Sequence, residues 1–171
     1  MSRADLTISE CNGVSCIRVS GRANFECGMP LRSFAKNFGD NVKKIVIDLG
    51  ACESMDSTFM GILTMLALRA KKQSTALELA NASDFCRQLL RGLGVEKMFV
   101  FTTADLASEE GKSALCGTEK QDKIGAAEAV VDAHQTLMDV SLDNIAKFEK
   151  VVEFAESDLK KFKDEAGEGK K

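Results

Sequence analysis

Two kinds of hydrophobic spacing divide this chain. Up to roughly residue 105, short β-branched or apolar runs alternate with helical stripes, and beyond roughly residue 122 one unbroken spacing of threes and fours takes over. In the first regime, Ile45-Val46-Ile47-Asp48-Leu49 closed by Gly50 reads as a central strand buried on both faces. Similar runs at 6–9, 14–20, 44–49, 75–80 and 98–101 predict short strands, with helices alternating after the second, so the chain is of the α/β class. The first helix is expected to start near Pro30, to carry Leu31, Phe34, Ala35 and Phe38 on one face, and to stop before Gly39. From Phe59 to Leu68 apolar residues fall almost all round the helical period, which predicts a mostly covered helix. Ser83 is placed to cap a third helix whose Phe85, Cys86, Leu89, Leu90 and Leu93 face inward, with Gly94 stopping it.

In the second regime, Ile124, Ala127, Val131, His134, Met138, Ser141, Ile145, Phe148, Val152, Ala155, Leu159 and Phe162 succeed one another in steps of three and four. One helix of that length would measure about 57 Å at about 1.5 Å per residue, too long to lie wholly on the small domain. The polar sequence Asp139-Val140-Ser141-Leu142-Asp143 resembles a cap that splits the segment, so a helical hairpin rivals a single coiled-coil rod. The expected organisation is a folded domain at 1–105, a polar linker at 106–121, a heptad helix or helical hairpin at 122–164, and a frayed charged end at 165–171. Self-association through the stripe, giving a homodimer, is the favoured use of the tail over folding back on the domain.

Composition narrows the function. A net charge of −3, 26 acidic against 23 basic residues, and no tryptophan or tyrosine argue against nucleic acid as a partner. The longest apolar run is interrupted by Gly61 and Thr64, and Met1-Ser2-Arg3-Ala4-Asp5 lacks the core of a signal peptide, so a cytoplasmic protein that neither spans nor binds a membrane is expected. The 6 cysteines (Cys11, Cys16, Cys27, Cys52, Cys86, Cys116) form no Cys-x-x-Cys pair and read as small core or loop residues in a reducing compartment. With His134 the single histidine, neither a metal nor any other cofactor is implied. His134 reads as a neutral histidine at the seam edge, with tuning of assembly near neutral pH the sharper alternative.

The chemistry is concentrated where the central strand meets the covered helix. Asp56-Ser57-Thr58-Phe59-Met60-Gly61 sets a hydroxyl at a helix mouth, with Asp56 or Ser57 as the N-cap. Backbone amides and the positive helix end there would stabilise a phosphate on Ser57. These residues, with Val14-Ser15-Cys16-Ile17-Arg18-Val19-Ser20-Gly21-Arg22, Ala76-Leu77-Glu78-Leu79 and Phe85 to Phe99, resemble the STAS family of sulphate transporters and anti-sigma factor antagonists. In that family a strand ending in Asp-Leu precedes an Asp-Ser-[Ser/Thr]-x-x-Gly signature. The resemblance spans roughly residues 5–105 and implies a four- to five-stranded mixed sheet with helices. It also implies that Ser57 is phosphorylated by an anti-sigma factor serine kinase and dephosphorylated by a serine phosphatase, as in free-standing bacterial members. Asn24 stands where the family often has an acidic residue beside the serine, and Phe59 where it frequently has glycine.

The function so implied is that of an anti-sigma factor antagonist, a switched binding module that sequesters an anti-sigma kinase while Ser57 is bare and releases it when phosphorylated. Asn24, Asp56, Ser57, Thr58, Phe59 and Met60 would form the partner-binding surface, in which Phe59 and Met60 are either anchors or residues packed under the neighbouring loop. The alternative is a constitutive STAS adaptor of a larger complex, in stress signalling or lipid transport, in which Ser57 is only a helix cap. An enzyme is not expected: there is no Gly-x-x-x-x-Gly-Lys loop, and the only base for a serine nucleophile, His134, lies in the tail.

Overall fold

The computed structural model describes residues 4–106, 112–114 and 122–169, of which 112–114 are described by backbone alone. Two strands, β1 (Asp5–Cys11) and β2 (Val14–Ala23), form a hairpin about Asn12-Gly13, both at positive φ (51° and 79°), the backbone a two-residue hairpin turn requires. Then follow α1 (Phe25–Asn37), β3 (Lys44–Met55), α2 (Ser57–Lys72), β4 (Ala76–Ala80), α3 (Asp84–Gly92), a 3₁₀ turn (Glu96–Met98), β5 (Val100–Thr102), β6 (Lys112–Ala114), α4 (Lys123–Val140) and α5 (Asp143–Glu168). The sheet runs β5-β4-β3-β2-β1-β6; β2 to β5 are mutually parallel, and β1 is antiparallel to both its neighbours. This is the mixed sheet expected, with β6 as an additional edge strand. It lies inside the span read as a linker; most of that span, with Cys116, falls outside the described residues.

Central placement of β3 follows from its sequence: Ile45, Ile47 and Leu49 are essentially inaccessible, and Val46 nearly so, as a strand covered on both faces demands. Ile62, Leu63 and Leu66 of α2 and Leu31 of α1 close over Leu6, Ile17 and Val19, giving one hydrophobic core. Asp48 is the polar exception at the end of the apolar run. Arg18 donates to it at 3.2 Å, the Gly50 amide at 2.9 Å and Asn81 Nδ2 at 3.2 Å, so the buried carboxylate is satisfied. α3 begins on Ser83, whose hydroxyl accepts from Cys86 N at 3.1 Å, and the thiol of Cys86 donates to Cys52 O at 3.6 Å, tying α3 to β3.

Two expectations change, and a third, left open between a rod and a hairpin, is decided. Helix α1 starts at Phe25, capped by Asn24, and carries Pro30 in its interior rather than at its mouth. Phe85 is 52% exposed while Cys86, Leu90 and Leu93 are buried, so the inward face of α3 is narrower than the apolar spacing implied. The tail is a hairpin: α4 stops at Val140, the chain turns through Ser141 and Leu142, and α5 runs on to Glu168, through much of the end expected to fray. Asn144 holds the corner, its side-chain amide donating to Leu137 O at 2.8 Å and Leu93 O at 2.9 Å. Ala133 and Leu137 belong to the same core cluster as the sheet and α2, so the hairpin lies on the α/β unit.

Candidate functional site

The mouth of α2 is built by the far end of β3. Past Gly50 the strand continues to Met55, pairing with β2 through two register shifts that follow Arg18 and Gly21. Asp56 then turns the chain from extended backbone (φ −85°, ψ 171°) into α2. One carboxylate oxygen accepts from Phe59 N at 2.8 Å and the other from Phe25 N at 3.1 Å, so a single side chain joins the starts of α1 and α2. Asn24 does the same for α1 alone, accepting from Cys27 N at 3.2 Å. Asp56 is therefore the cap and Ser57 the first helical residue. Asp56 keeps one side in solvent, yet partial desolvation pushes its carboxyl above the ordinary value against the pull of the Phe59 and Phe25 amides and of His134.

That arrangement alters the anion argument. The amide of Phe59 is taken by the carboxylate and that of Met60 by Asp56 O at 3.0 Å. The positive end of α2 thus already holds a negative group, and a phosphate on Ser57 would meet Asp56 rather than an empty cradle.

Ser57 is half-buried, and its Oγ lies 2.9 Å from His134 Nε2. The other ring nitrogen, Nδ1, is 2.7 Å from Val130 O, and since a carbonyl only accepts, the neutral ring carries its proton there. Nε2 then accepts from the Ser57 hydroxyl. His134 is 3% exposed, and its ring lies 4.9 Å from that of Phe148 in α5. The tail position that discounted this histidine in the sequence is no obstacle in the fold, because α4 crosses α2 at the signature. Gly61 marks the crossing: a Cβ there would lie 2.5 Å from Ala133 O and 2.7 Å from Ala133 Cβ. Its partner on the other side is Gly28 of α1, where a Cβ would meet Ile62 Cδ1 at 2.7 Å.

Of the residues singled out in the sequence, Asn24, Asp56 and Ser57 gather at the two helix mouths, with Asn24 and Ser57 half-buried and Asp56 exposed. Thr58 and Met60 are buried at 7% and 6% exposure, and Phe59 is fully enclosed. Phe59 packs into the core beneath the mouth, so it and Met60 are not surface anchors in this conformation. The sequence reading missed the partnership of Ser57 with His134 and the stripe of Ala129, Ala133 and Leu137, all fully buried, which runs beside the heptad seam. Ala-x-x-x-Ala-x-x-x-Leu at helical spacing was the available signal, opposite a lone glycine in an otherwise bulky helix. Among the described residues no helix is long and apolar enough to cross a membrane.

Residues 9–102, more than half of the chain, match the family model described as Mlab, STAS domain. Among solved structures, the anti-sigma factor antagonist SpoIIAA in its unphosphorylated form is similar at 15% identity over 59% of this chain and 89% of that one, with a TM-score of 0.51. The Bacillus cell fate determinant SpoIIAA in its phosphorylated form is similar at 16% identity over 59% and 92%, also with a TM-score of 0.51. A sulfate transporter family protein from Wolinella succinogenes reaches 22% identity over 52% and 76%, with a TM-score of 0.48. At these identities the likeness is one of fold. No curated protein matches the chain.

Proposed function

We propose that this chain, which belongs to the STAS domain family, is a phospho-switched binding protein of the anti-sigma factor antagonist type. It holds an anti-sigma serine kinase while Ser57 is bare and lets it go when Ser57 is phosphorylated, a serine phosphatase resetting the cycle. One observation carries the reading: Ser57 stands half-buried at the first position of α2, beside a carboxylate that already occupies the helix mouth. A phosphate there brings roughly −1.5 to −2 charges against Asp56, so it acts by repulsion and desolvation. The known phosphorylated and unphosphorylated forms of SpoIIAA, on the same fold, lend support by analogy.

The constitutive adaptor is favoured by one specific observation, that the Ser57 hydroxyl is engaged by His134 and sheltered by α4. Intact-mass spectrometry with fragment mapping, on protein purified from its own cells under two growth conditions, separates the two readings. The switch requires a phosphate on Ser57 whose occupancy changes with condition. Bare serine in both conditions would overturn it in favour of the adaptor.

A further inference from the structure

Two of the 6 cysteines meet in the core, away from the Ser57 hydroxyl. Cys52 lies on β3, ahead of Asp56, and Cys86 stands in the first turn of α3, behind the cap Ser83. Both are free thiols, Cys86 fully buried and Cys52 5% exposed, and they hydrogen-bond to each other. Cys86 Sγ is 3.6 Å from Cys52 O, and Cys52 Sγ is 3.4 Å from Ser54 O. Their surroundings set the two protons apart. The hydrogen bond with Cys52, followed by that from the Ser83 hydroxyl, lowers the Cys86 thiol to about 6 against the effect of burial. The positive end of α3 favours the same thiolate. Cys52 moves the opposite way, pushed up by its hydrogen bond with Cys86 and then by burial. The first proton therefore leaves Cys86 while the second is held on Cys52, which is the order of an attacking thiol and a resolving one.

We propose that Cys86 and Cys52 form a modification site for hydrogen peroxide, at which the two thiols close reversibly into a disulfide between α3 and β3. The Cys86 sulfur attacks one oxygen of the peroxide: an S–O bond forms, the O–O bond breaks, and hydroxide leaves, taking up a proton as water. The sulfenic acid left on Cys86 is uncharged, so the negative sulfur that held the Cys52 proton in place is gone. Cys52 then attacks that sulfur. The S–S bond forms, the S–O bond breaks, and the Cys52 proton leaves with the hydroxyl as a second water. The pair has lost two electrons and two protons, the peroxide is reduced to two waters, and a dithiol reductant reverses the change. Burial sets the class of oxidant, because a disulfide of glutathione size must align its own sulfur with one that is fully enclosed. For a small peroxide the path is short, since Ala51 and Glu53 on one side of the pair and Ser83, Asp84 and Phe85 on the other are exposed. Once closed, the bond fastens the start of α3 to the strand that delivers Asp56, a join otherwise made there by weak sulfur hydrogen bonds. The inference is independent of the reading of Ser57 as a phosphoacceptor.

Disulfide mapping on the full-length chain tests this. The protein is reduced, freed of reductant, treated with hydrogen peroxide at neutral pH, quenched with catalase, alkylated in denaturant, digested and read by mass spectrometry. A linked peptide joining Cys52 to Cys86 should appear and should vanish on treatment with dithiothreitol. Free thiol at Cys52 and Cys86 should be lost roughly tenfold faster than at Cys11, although Cys11 is the exposed one. Oxidised glutathione in place of peroxide should leave both buried thiols free to alkylate. In Cys52→Ser the resolving sulfur is missing, so Cys86 should run on to sulfinic acid, whereas in Cys86→Ser the remaining Cys52 should stay a free thiol. Free Cys52 and Cys86 after Cys11 has been consumed would overturn the proposal, because the pair would then be inert core. Linkage of either sulfur to another cysteine in place of its neighbour would overturn it too. Ready oxidation of Cys52 in Cys86→Ser would refute the order of attack, and disulfide formation with glutathione the choice of oxidant. Should either variant fail to fold, the map of the parent chain decides by itself.

Discussion

At the residue scale, the serine and its neighbour divide two duties that the sequence left open between them. Asp56 caps α2 and ties it to α1, while Ser57 hydrogen-bonds to His134. The position of the hydroxyl was legible because a strand, a short polar turn and an apolar helix succeed one another within a few residues. The imidazole was not, since 77 residues separate the partners and only tertiary packing joins them. Asp56 also makes a pH prediction. Its carboxyl is raised above the ordinary value by desolvation, so the folded chain binds that proton more tightly than the unfolded chain. The stability contributed by this group is therefore full below the unfolded carboxylate value and lost as pH rises through the folded one. Asp56→Asn keeps the acceptor for Phe59 N and cannot titrate. In urea unfolding, the stability of the parent relative to Asp56→Asn should rise as pH is lowered from neutrality into the carboxylate range, modestly because Asp56 retains solvent contact. A difference that shrinks on acidification would contradict the assignment.

At the scale of elements, periodicity located the strands and most helices, and its failures have identifiable causes. Pro30 was read as a helix start because proline favours the first turn, but Asn24 caps a helix five residues earlier, and the proline is carried inside it. The stretch before it, Phe25-Glu26-Cys27-Gly28-Met29, shows little periodicity because Gly28 lies against Ile62, where close approach matters more than apolar spacing. Two glycines in helices make the point testable. Replacing glycine by alanine inside a helix ordinarily stabilises it by about 0.5–1 kcal/mol. At Gly92 of α3 nothing lies within 4 Å of the added Cβ, so Gly92→Ala should raise the free energy of urea unfolding by about 0.5–1 kcal/mol. At Gly61 the same methyl meets the Ala133 carbonyl, and Gly61→Ala should instead destabilise by about 1–3 kcal/mol through overpacking. Equal effects at the two sites would show that α4 does not seat on α2 as described.

For the whole molecule, the question is what the heptad stripe is for. An unbroken apolar seam in an isolated helix implies a second copy, which is why self-association was the favoured expectation. That inference assumes one continuous rod. The turn at Ser141-Leu142 removes the premise, because it folds the two halves of the stripe toward each other: His134 of α4 meets Phe148 of α5, with Val152 and Ala155 buried farther along. A second stripe, Ala129, Ala133 and Leu137, turns the other side of α4 onto α2. The seam was legible as a pattern, but its partner was not, since three-and-four spacing is the same whether the facing helix belongs to this chain or to another. What remains on the outside of α5 is Ile145, Val151 and Phe154, at 38%, 37% and 72% exposure, with Leu142 of the turn at 79%, set among Lys147, Glu149, Lys150, Glu153 and Glu156. Single apolar residues dispersed in charge are ordinary surface and do not amount to the area a stable dimer buries. With α4 seated, the 18.5 kDa chain should therefore sediment as a monomer at micromolar concentration. Asp132→Lys, which sets like charge against Arg32 and Lys36, should loosen α4 on α2, and a chain so loosened should begin to associate as concentration rises. A parent chain that sediments as a concentration-independent dimer would mean that the hairpin faces another copy as well as its own domain.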